Sequence, residues 1–426
     1  MITTIFLSAV FCFVCGVLIF KSSFFYVDAF SKRSLAALFI LKAIAGIVIG
    51  HFSFRIFSGN DSWFYFDEGK RLYLVALENP RQYIKLMLGI VDSSNQFYYS
   101  HFLNKTNLSR LYNSETMIKL NSLFHFISFH HYSVHSVLFS FISFCGLTGF
   151  YKFFCSLFKT SSEPLFFLLV FSPSLLIWTS GIAKDGLLVG AAGLFVFYLL
   201  DLSSSKKTLA KVLATALLLL FLFLVKSYFI FLLIPVLVSF FIISKKPSGK
   251  TRTIATYCSV IVLYLITFSV CELFTHQPPL PYAIALKQQS AMKYAVFKNA
   301  QSFSKPPVIA SSWHSVINNS PQAFMHTLGK PAFAFHNSFL QNMAALETYF
   351  FALLLLYGLL KSLGSHSLHF NFALLCLIFV FLFYVIVGYT SATEGTIARL
   401  KTPALPFILM LFYSLFLKST YLNTKT

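Results

Sequence analysis

The sequence NDSWFYFDEGKR, residues Asn60–Arg71, directly follows a long apolar segment and opens the first long polar loop of the chain. It holds three carboxylates, Asp61, Asp67 and Glu68, although the whole chain has only 13 acidic residues. If the stretch is helical, Asp61, Tyr65 and Glu68 share one face, because residues four and seven positions apart are neighbours on a helix. Carboxylates at the rim of a membrane cavity can act as a base, an acid or a cation ligand. We therefore interpret this stretch as the catalytic loop of a membrane enzyme.

The composition is that of an integral membrane protein. The 426 residues are 57% hydrophobic and 11% charged, whereas a soluble domain carries about a quarter charged residues. The net charge of +20 is attributed to basic cytoplasmic loops that face anionic phospholipid, so nucleic acid is not expected as a partner. The seven cysteines lie in or beside apolar segments, which argues against a disulfide framework. The sequence thus predicts an all-α polytopic protein of the cytoplasmic (inner) membrane.

Apolar runs that can cross a hydrocarbon core of about 30 Å predict eleven transmembrane helices in a single integral membrane domain, residues 1–426. The predicted spans are residues 2–20, 35–56, 132–150, 163–179, 186–201, 209–225, 228–243, 254–275, 343–360, 369–388 and 403–417. Every second connection along the chain is short and rich in lysine and arginine. These connections share one side of the membrane, and the positive-inside rule puts that side in the cytoplasm. The N-terminus is then outside and the C-terminus is cytoplasmic.

Two long loops, residues 58–131 and 276–342, then lie on the extracytoplasmic face. These loops, the short turns of the same side and the adjoining helix ends carry ten of the 13 acids. The three remaining acids are Asp28, Glu163 and Asp201. Mixed apolar and basic residues at helical spacing predict interfacial helices at 79–90 and 282–298. The chemistry is therefore expected on the outer face.

Three short outer turns hold cations that could meet the first loop. Lys184 and Asp185 lie in PSLLIWTSGIAKDGLL, where the lysine could bind phosphate with the aspartate orienting it; the alternative is a solvated pair in a turn. Lys226, in FLVKSYFIF, is either a similar ligand or a lysine that snorkels to the interface. Arg399 and Lys401 lie in TEGTIARLKTPALP, and arginine can clamp a phosphate with two parallel hydrogen bonds. The alternative for this pair is an interfacial anchor.

Two further residue types are weaker candidates. His131 and His135 are one helical turn apart near His125 and His130, which approaches metal-ligand spacing, but interfacial histidine is the alternative. Trp63 could stack on a sugar ring or belong to the interfacial aromatic belt. No metal site is predicted, and a divalent cation is the only cofactor for which the sequence leaves room.

These motifs resemble the GT-C superfamily of multi-pass membrane glycosyltransferases and related bacterial polysaccharide-assembly membrane proteins. Asp61, Ser62 and Tyr65 resemble the Asp–Ser–x–x–Tyr element of a first outer loop. PSLLIWTSGIAKDGLL and GTIARLKTPALP are similar to a P-S-x-x-x-W-S-x-G-x-x-K-D/E element and a late G-T-x-x-R-x-x-x-P-x-x-P element. PQAFMHTLGKPAFAFHNSFLQNMAALE resembles a T-L-x-R-P-F segment that leads to A-L-E, with Lys330 in place of the arginine.

The resemblance implies transfer of a sugar from a polyprenyl-phosphate-linked donor to a glycan or lipid acceptor outside the membrane, with an aspartate as base. Asp61 would accept the acceptor proton, while Glu68 or Asp67 would orient the hydroxyl or hold a divalent cation. Arg399, with Lys184 or Lys226, would neutralise the leaving phosphate in an inverting reaction. The first loop follows the second span, whereas the superfamily places it after the first. An O-antigen-type polymerase therefore stays an alternative, and a lipid-linked sugar flippase or other transporter is a second one.

Overall fold

The structure is a computed structural model that describes residues 2–56, 61–90, 92–93, 96, 114–204, 208–275, 278–300, 302–334, 339–365 and 367–416. These residues form helices and turns, with no β-strand among them, which confirms the all-helical class. In chain order the α-helices are α1 (Ile2–Lys21), α2 (Lys32–Ile56), α3 (Asp61–Glu78), α4 (Pro80–Leu88), α5 (Glu115–Ser128), α6 (Tyr132–Phe158), α7 (Glu163–Phe171), α8 (Pro173–Thr179), α9 (Lys184–Ser204), α10 (Leu209–Lys245), α11 (Lys250–Thr275), α12 (Leu280–Phe297), α13 (Trp313–Leu328), α14 (Phe339–Ser362), α15 (Ser367–Thr390), α16 (Glu394–Leu400) and α17 (Leu405–Phe416).

Among the described residues, nine helices are long and apolar enough to cross a membrane, as in a multi-pass membrane protein. They are Ile2–Lys21, Lys32–Phe52, Tyr132–Phe158, Lys184–Ser203, Leu209–Lys245, Lys250–Glu272, Gln341–Ser362, Leu368–Thr390 and Glu394–Leu415. The eleven predicted spans differ from these nine at two breaks. Residues 163–179 form two short helices, α7 and α8, and Lys226 has non-helical backbone angles inside α10. The break before α8 follows from Pro173, which has no N–H to continue the hydrogen bonding of α7.

The chain divides into two compact units, Met1–Ser227 and Tyr228–Thr426, and each is described by itself. In the first unit, α6 and α9 pack so closely that glycine is required between them. A Cβ atom added to Gly193 would collide with the backbone oxygen of Gly146. At the other end of the contact, the Gly181 N–H donates to Ser140 Oγ at 2.9 Å. The contacts advance in the same direction along both helices, so α6 and α9 are parallel.

In the second unit, the segment between α11 and α14 forms α12 and α13, which pack against α15. The buried Gln288 of α12 donates to the carbonyls of Pro307, at 2.8 Å, and Tyr389, at 3.1 Å. A Cβ atom added to Gly388 of α15 would collide with the Ala323 oxygen of α13. Helices α12 and α13, within the described part of the second loop, therefore form a layer on α15 in this unit.

Helices occupy most of the two stretches for which loop helices are predicted. α4 covers most of residues 79–90, begins at the Asn79 cap and ends at Gly89, whose φ of +74° suits glycine. α12 covers most of residues 282–298. The placement of both helices in a membrane interface, and the single-domain organisation, stay predictions.

Candidate functional site

α3 carries the three carboxylates of the first loop. Tyr65 is buried, whereas Asp61 and Asp67 are exposed. The Glu68 side chain is 12% exposed and accepts a hydrogen bond from Arg71 Nη1 at 3.1 Å. Partial desolvation raises the pKa of Asp67, and the nearby cation of Arg71 opposes that shift. The three acids therefore have different surroundings: one begins the helix, one is exposed beside basic residues, and one is enclosed in an ion pair.

Lys184 is the first residue of α9 and lies against α3. Its Nζ is 5.1 Å from the centroid of the Tyr65 ring, within the range of a cation–π contact. The same ammonium donates to Ser114 Oγ at 3.3 Å, just before α5 begins. Lys184 is only 6% exposed, so this cation belongs to a largely enclosed environment rather than to a solvated turn.

Asp185 joins α9 to the break in α10. Its Oδ1 accepts a hydrogen bond from Lys226 Nζ at 2.6 Å, and the side chains are 0% and 10% exposed. The carboxylate is in the first turn of α9, where the helix dipole favours negative charge. Removal of either partner of such a buried pair leaves an uncompensated charge, which is strongly destabilising. The interpretation of Lys226 as a snorkelling lysine alone therefore leaves out its principal contact.

Tyr65, Ser114, Lys184, Asp185 and Lys226 together form what we call the lysine cluster. Its five members come from four segments: Tyr65 from α3, Ser114 from just before α5, Lys184 and Asp185 from the first turn of α9, and Lys226 from the non-helical position in α10. A hydrogen bond from Thr116 Oγ1 to the Leu224 carbonyl, 3.0 Å long, fixes the start of α5 against α10 beside the cluster. With two ammonium groups and one carboxylate, the cluster has one net positive charge in an enclosed site, where attraction to an anion is stronger than in water, so it is suited to a phosphate group.

The second unit brings together two other motifs. Glu394, the first residue of α16, accepts hydrogen bonds from Lys330 Nζ at 2.8 Å and from the Ala332 N–H at 3.2 Å. Lys401 Nζ donates to the Lys330 carbonyl at 2.8 Å and to Thr348 Oγ1 at 2.6 Å. These hydrogen bonds bring together three segments of the sequence: TLGKPAF, Thr348 directly after ALE, and EGTIARLKTP. The Lys330 side chain is therefore engaged in an ion pair with Glu394.

Arg399 and Lys401 differ in burial and direction. Lys401 is 4% exposed, and its ammonium donates to the Lys330 carbonyl and to Thr348 Oγ1 within the unit. Arg399 is partly exposed and lies two positions before Lys401, so it projects from a different side of the chain. Of these two predicted phosphate ligands, Lys401 is buried and Arg399 is partly exposed, and the role of each stays a prediction.

His125, His130 and His135 lie side by side, whereas His131 contacts Thr4 Oγ1 at 3.1 Å. His125 Nε2 lies 3.0 Å from the Phe66 carbonyl, and its Nδ1 lies 3.1 Å from His130 Nδ1. His135 Nδ1 lies 2.8 Å from Asn121 Oδ1. Burial lowers the pKa of His125 to about 4, and the Phe66 carbonyl opposes that shift. Within the described part of the chain, no group of three or more histidine, cysteine, aspartate or glutamate side chains is arranged to hold a metal ion.

Trp63 is part of an aromatic contact between α3 and α6. Its ring stacks on Tyr132 with centroids 4.1 Å apart and planes 7° apart, and its Nε1 donates to the Gly50 carbonyl at 3.1 Å. The Tyr132 hydroxyl donates to Ser62 Oγ at 3.0 Å. One ring face of Trp63 is thus covered by protein, which favours packing over sugar stacking.

Two members of these sites carry no signal in the sequence. Ser114 stands in an ordinary polar stretch, and the contact of Lys401 with Thr348 joins residues 53 positions apart.

No protein-family model, no curated protein and no solved structure matches this chain.

Proposed function

We propose that the protein is a membrane glycosyltransferase that acts in the assembly of a surface polysaccharide or glycoconjugate. It would move a sugar from a polyprenyl-phosphate-linked donor to the hydroxyl of a glycan or lipid acceptor on the extracytoplasmic face of the cytoplasmic membrane. The observation that carries the proposal is the lysine cluster. Lys184 and Lys226 come from different segments, are largely enclosed, and meet beside the helix that carries the first-loop carboxylates.

The proposed chemistry assigns the cluster to the donor phosphate. The bond between sugar C1 and the phosphate oxygen breaks, and its electron pair stays on the phosphate. Lys184 and Lys226 then stabilise the added negative charge, while Asp185 holds Lys226 in place. Fixed cations are effective in this role because they need little reorganisation as the charge develops.

The proposed base is Asp61. The acceptor oxygen forms the new bond to C1, and its proton passes to the Asp61 carboxylate. Asp61 begins α3, so its backbone is held by a regular helix. Glu68 is better suited to orient the acceptor, because accepting a proton would weaken its ion pair with Arg71.

Arg399 is proposed as a phosphate clamp within the second unit. Its guanidinium can make two parallel hydrogen bonds to a phosphate. Two features support this role: the residue is an arginine, and it is partly exposed on α16.

The runner-up function is an O-antigen-type polymerase, which would join oligosaccharides carried on polyprenyl diphosphate. One observation favours it: α3 follows two apolar helices, α1 and α2, rather than one. The two functions share the acceptor chemistry and differ in the donor.

Purified protein in lipid vesicles tests the proposal. A set of polyprenyl-phosphate monosaccharides and polyprenyl-diphosphate oligosaccharides would be supplied, and mass spectrometry would follow donor loss and product mass. We expect turnover of a monosaccharide donor, and a loss of about 100- to 1,000-fold in Lys184→Ala, since removal of one transition-state donor has that effect. Lengthening of a diphosphate-linked oligosaccharide would indicate the polymerase. Donor movement between leaflets without any bond change would indicate a transporter.

Lys211→Ala is the matched control. Lys211 of α10 pairs with Asp201 of α9 at 2.6 Å, as Lys226 pairs with Asp185, and its side chain is 31% exposed. A screened pair of this kind contributes little, so this variant should retain wild-type turnover. Equal losses in Lys184→Ala and Lys211→Ala would show that the lysine cluster has no specific role.

A further inference from the structure

A third enclosed lysine of the first unit, Lys42, has no part in the chemistry proposed above. Lys42 lies in α2, inside a candidate membrane span, and is 0% exposed. Its Nζ donates to Thr179 Oγ1 at 2.7 Å and to Ser180 Oγ at 3.1 Å. An ionisable group at this depth is unfavourable unless it is hydrogen-bonded, and such groups mark functional positions by default. Both acceptors of Lys42 belong to the turn between α8 and α9.

The same turn is packed against α2 one helical turn further along. Gly46 lies so close that an added Cβ atom would be 2.5 Å from the Gly181 nitrogen. Gly181 itself has a φ of +73°, which favours glycine, and its N–H is fixed by Ser140 Oγ of α6. Lys42 and Gly46 are four residues apart, so they form one continuous face of α2 against the turn.

This turn places the lysine cluster. Lys184 and Asp185 follow Gly181 by three and four residues. The short link from Gly181 to Lys184 is held by a hydrogen bond, 2.9 Å long, from the Ala183 N–H to the Gly181 carbonyl. A Cβ atom added to Gly186 would be 2.7 Å from the Thr179 oxygen, so the first turn of α9 also rests on the end of α8. Any shift of residues 179–181 would therefore be transmitted to both charged residues.

We propose that Lys42 is a positioning residue: by holding Thr179 and Ser180 it sets the place of Lys184 and Asp185 for the anionic phosphate of the donor. The inference rests on the proposed function for its consequence in catalysis, and on the packing of α2 against the turn for its structural part. Lys42 does not touch the phosphate; it acts through Lys184.

The structural part is tested by hydrogen–deuterium exchange of the purified protein. Lys42→Met keeps the length of the side chain and removes its donors, and exchange of residues 181–187 should become about 10- to 100-fold faster, as expected for the loss of hydrogen bonds from a charged donor. Lys152→Met is the control, because Lys152 is another lysine of a candidate span, is partly buried, and donates to the Phe24 carbonyl at 2.8 Å rather than to the turn. If Lys42→Met folds poorly, Thr179→Val removes the acceptor instead. Exchange that is unchanged in either folded variant would overturn the proposal.

The catalytic part is tested by a double-mutant cycle in the donor-turnover assay. Lys42→Met should lower kcat by about 10- to 100-fold, since small misplacement of a catalytic group has effects of that size. In a Lys184→Ala background the same change should lower kcat by less than about twofold, because the group it positions is already gone. Losses that multiply would show that Lys42 acts independently of Lys184, against the proposal. If the wild-type protein turns over no donor, the proposed function fails, and the exchange experiment alone decides whether Lys42 positions the turn.

Discussion

At the scale of single residues, the three carboxylates of α3 separate by their surroundings, and their variants should separate in the same order. Asp61→Asn should lower turnover by about 100- to 10,000-fold, because an amide cannot take the acceptor proton. Glu68→Gln should have an intermediate effect through the lost ion pair with Arg71. Asp67→Asn should be mild, since Asp67 is exposed on another side of the helix. Turnover at matched expression and measured donor affinity is the readout. If Glu68→Gln is inactive while Asp61→Asn keeps its turnover, the base is Glu68 and not Asp61.

Arg399 and Lys401 provide a second comparison between single residues. Arg399→Lys keeps the charge and loses the bidentate geometry, so turnover should fall while thermal unfolding stays unchanged. Lys401→Met should do the reverse: it leaves Thr348 and the Lys330 carbonyl without a donor, at about 1–3 kcal/mol in free energy of unfolding. The two variants would be compared by donor turnover and by the unfolding midpoint in detergent. An unstable Arg399→Lys, or a stable and inactive Lys401→Met, would contradict this division of roles.

At the scale of helices, the sequence predicts individual elements better than it predicts their contacts. The helical face of α3 follows from spacing alone, and α3 does begin at Asp61. The pairing of Asp185 with Lys226 does not follow, because the two residues are 41 positions apart on different helices. Hydrophobic periodicity identifies which residues are buried, but it contains no rule for which polar side chains of separate spans will meet. The charge of Lys226 predicts a break there, and this residue has non-helical backbone angles in α10.

The contact between α6 and α9 gives a prediction at this scale. Gly193→Ala should lower the free energy of unfolding by about 1–3 kcal/mol, because its Cβ atom would overlap the Gly146 oxygen in a packed contact. Gly16→Ala in α1 is the control, since an added Cβ atom meets nothing within 4 Å there. That variant should be unchanged or slightly more stable, as alanine favours a helix more than glycine does. Equal midpoints for both variants in thermal unfolding would argue against close packing of α6 on α9.

At the scale of the whole molecule, the packing of α6 on α9 bears on how many times the chain crosses the membrane. α6 and α9 are parallel, so the chain between them has to return from the end of α6 to the start of α9. The returning residues, 159–183, contain α7 and α8, which are too short to count as spans singly. The next segment also runs the full length of α9: Lys211 pairs with Asp201 at one end, and Lys226 pairs with Asp185 at the other. These contacts argue for a crossing by α7 and α8, and the total of eleven crossings stays a prediction.

A cysteine at position 203 distinguishes the two counts. With the N-terminus outside, eleven crossings put the end of α9 in the cytoplasm, whereas the nine long helices alone would put it outside. Ser203 is exposed near the end of α9, so a substituted cysteine can react.

In a background without the seven native cysteines, Ser203→Cys and Ser248→Cys should resist a membrane-impermeant thiol reagent in intact cells and react after permeabilisation. Ser93→Cys, in the first outer loop, should react in both conditions. Labelling at 203 with protection at 248 would reject the crossing by α7 and α8, and labelling at 248 with protection at 93 would reverse the orientation that the basic loops predict.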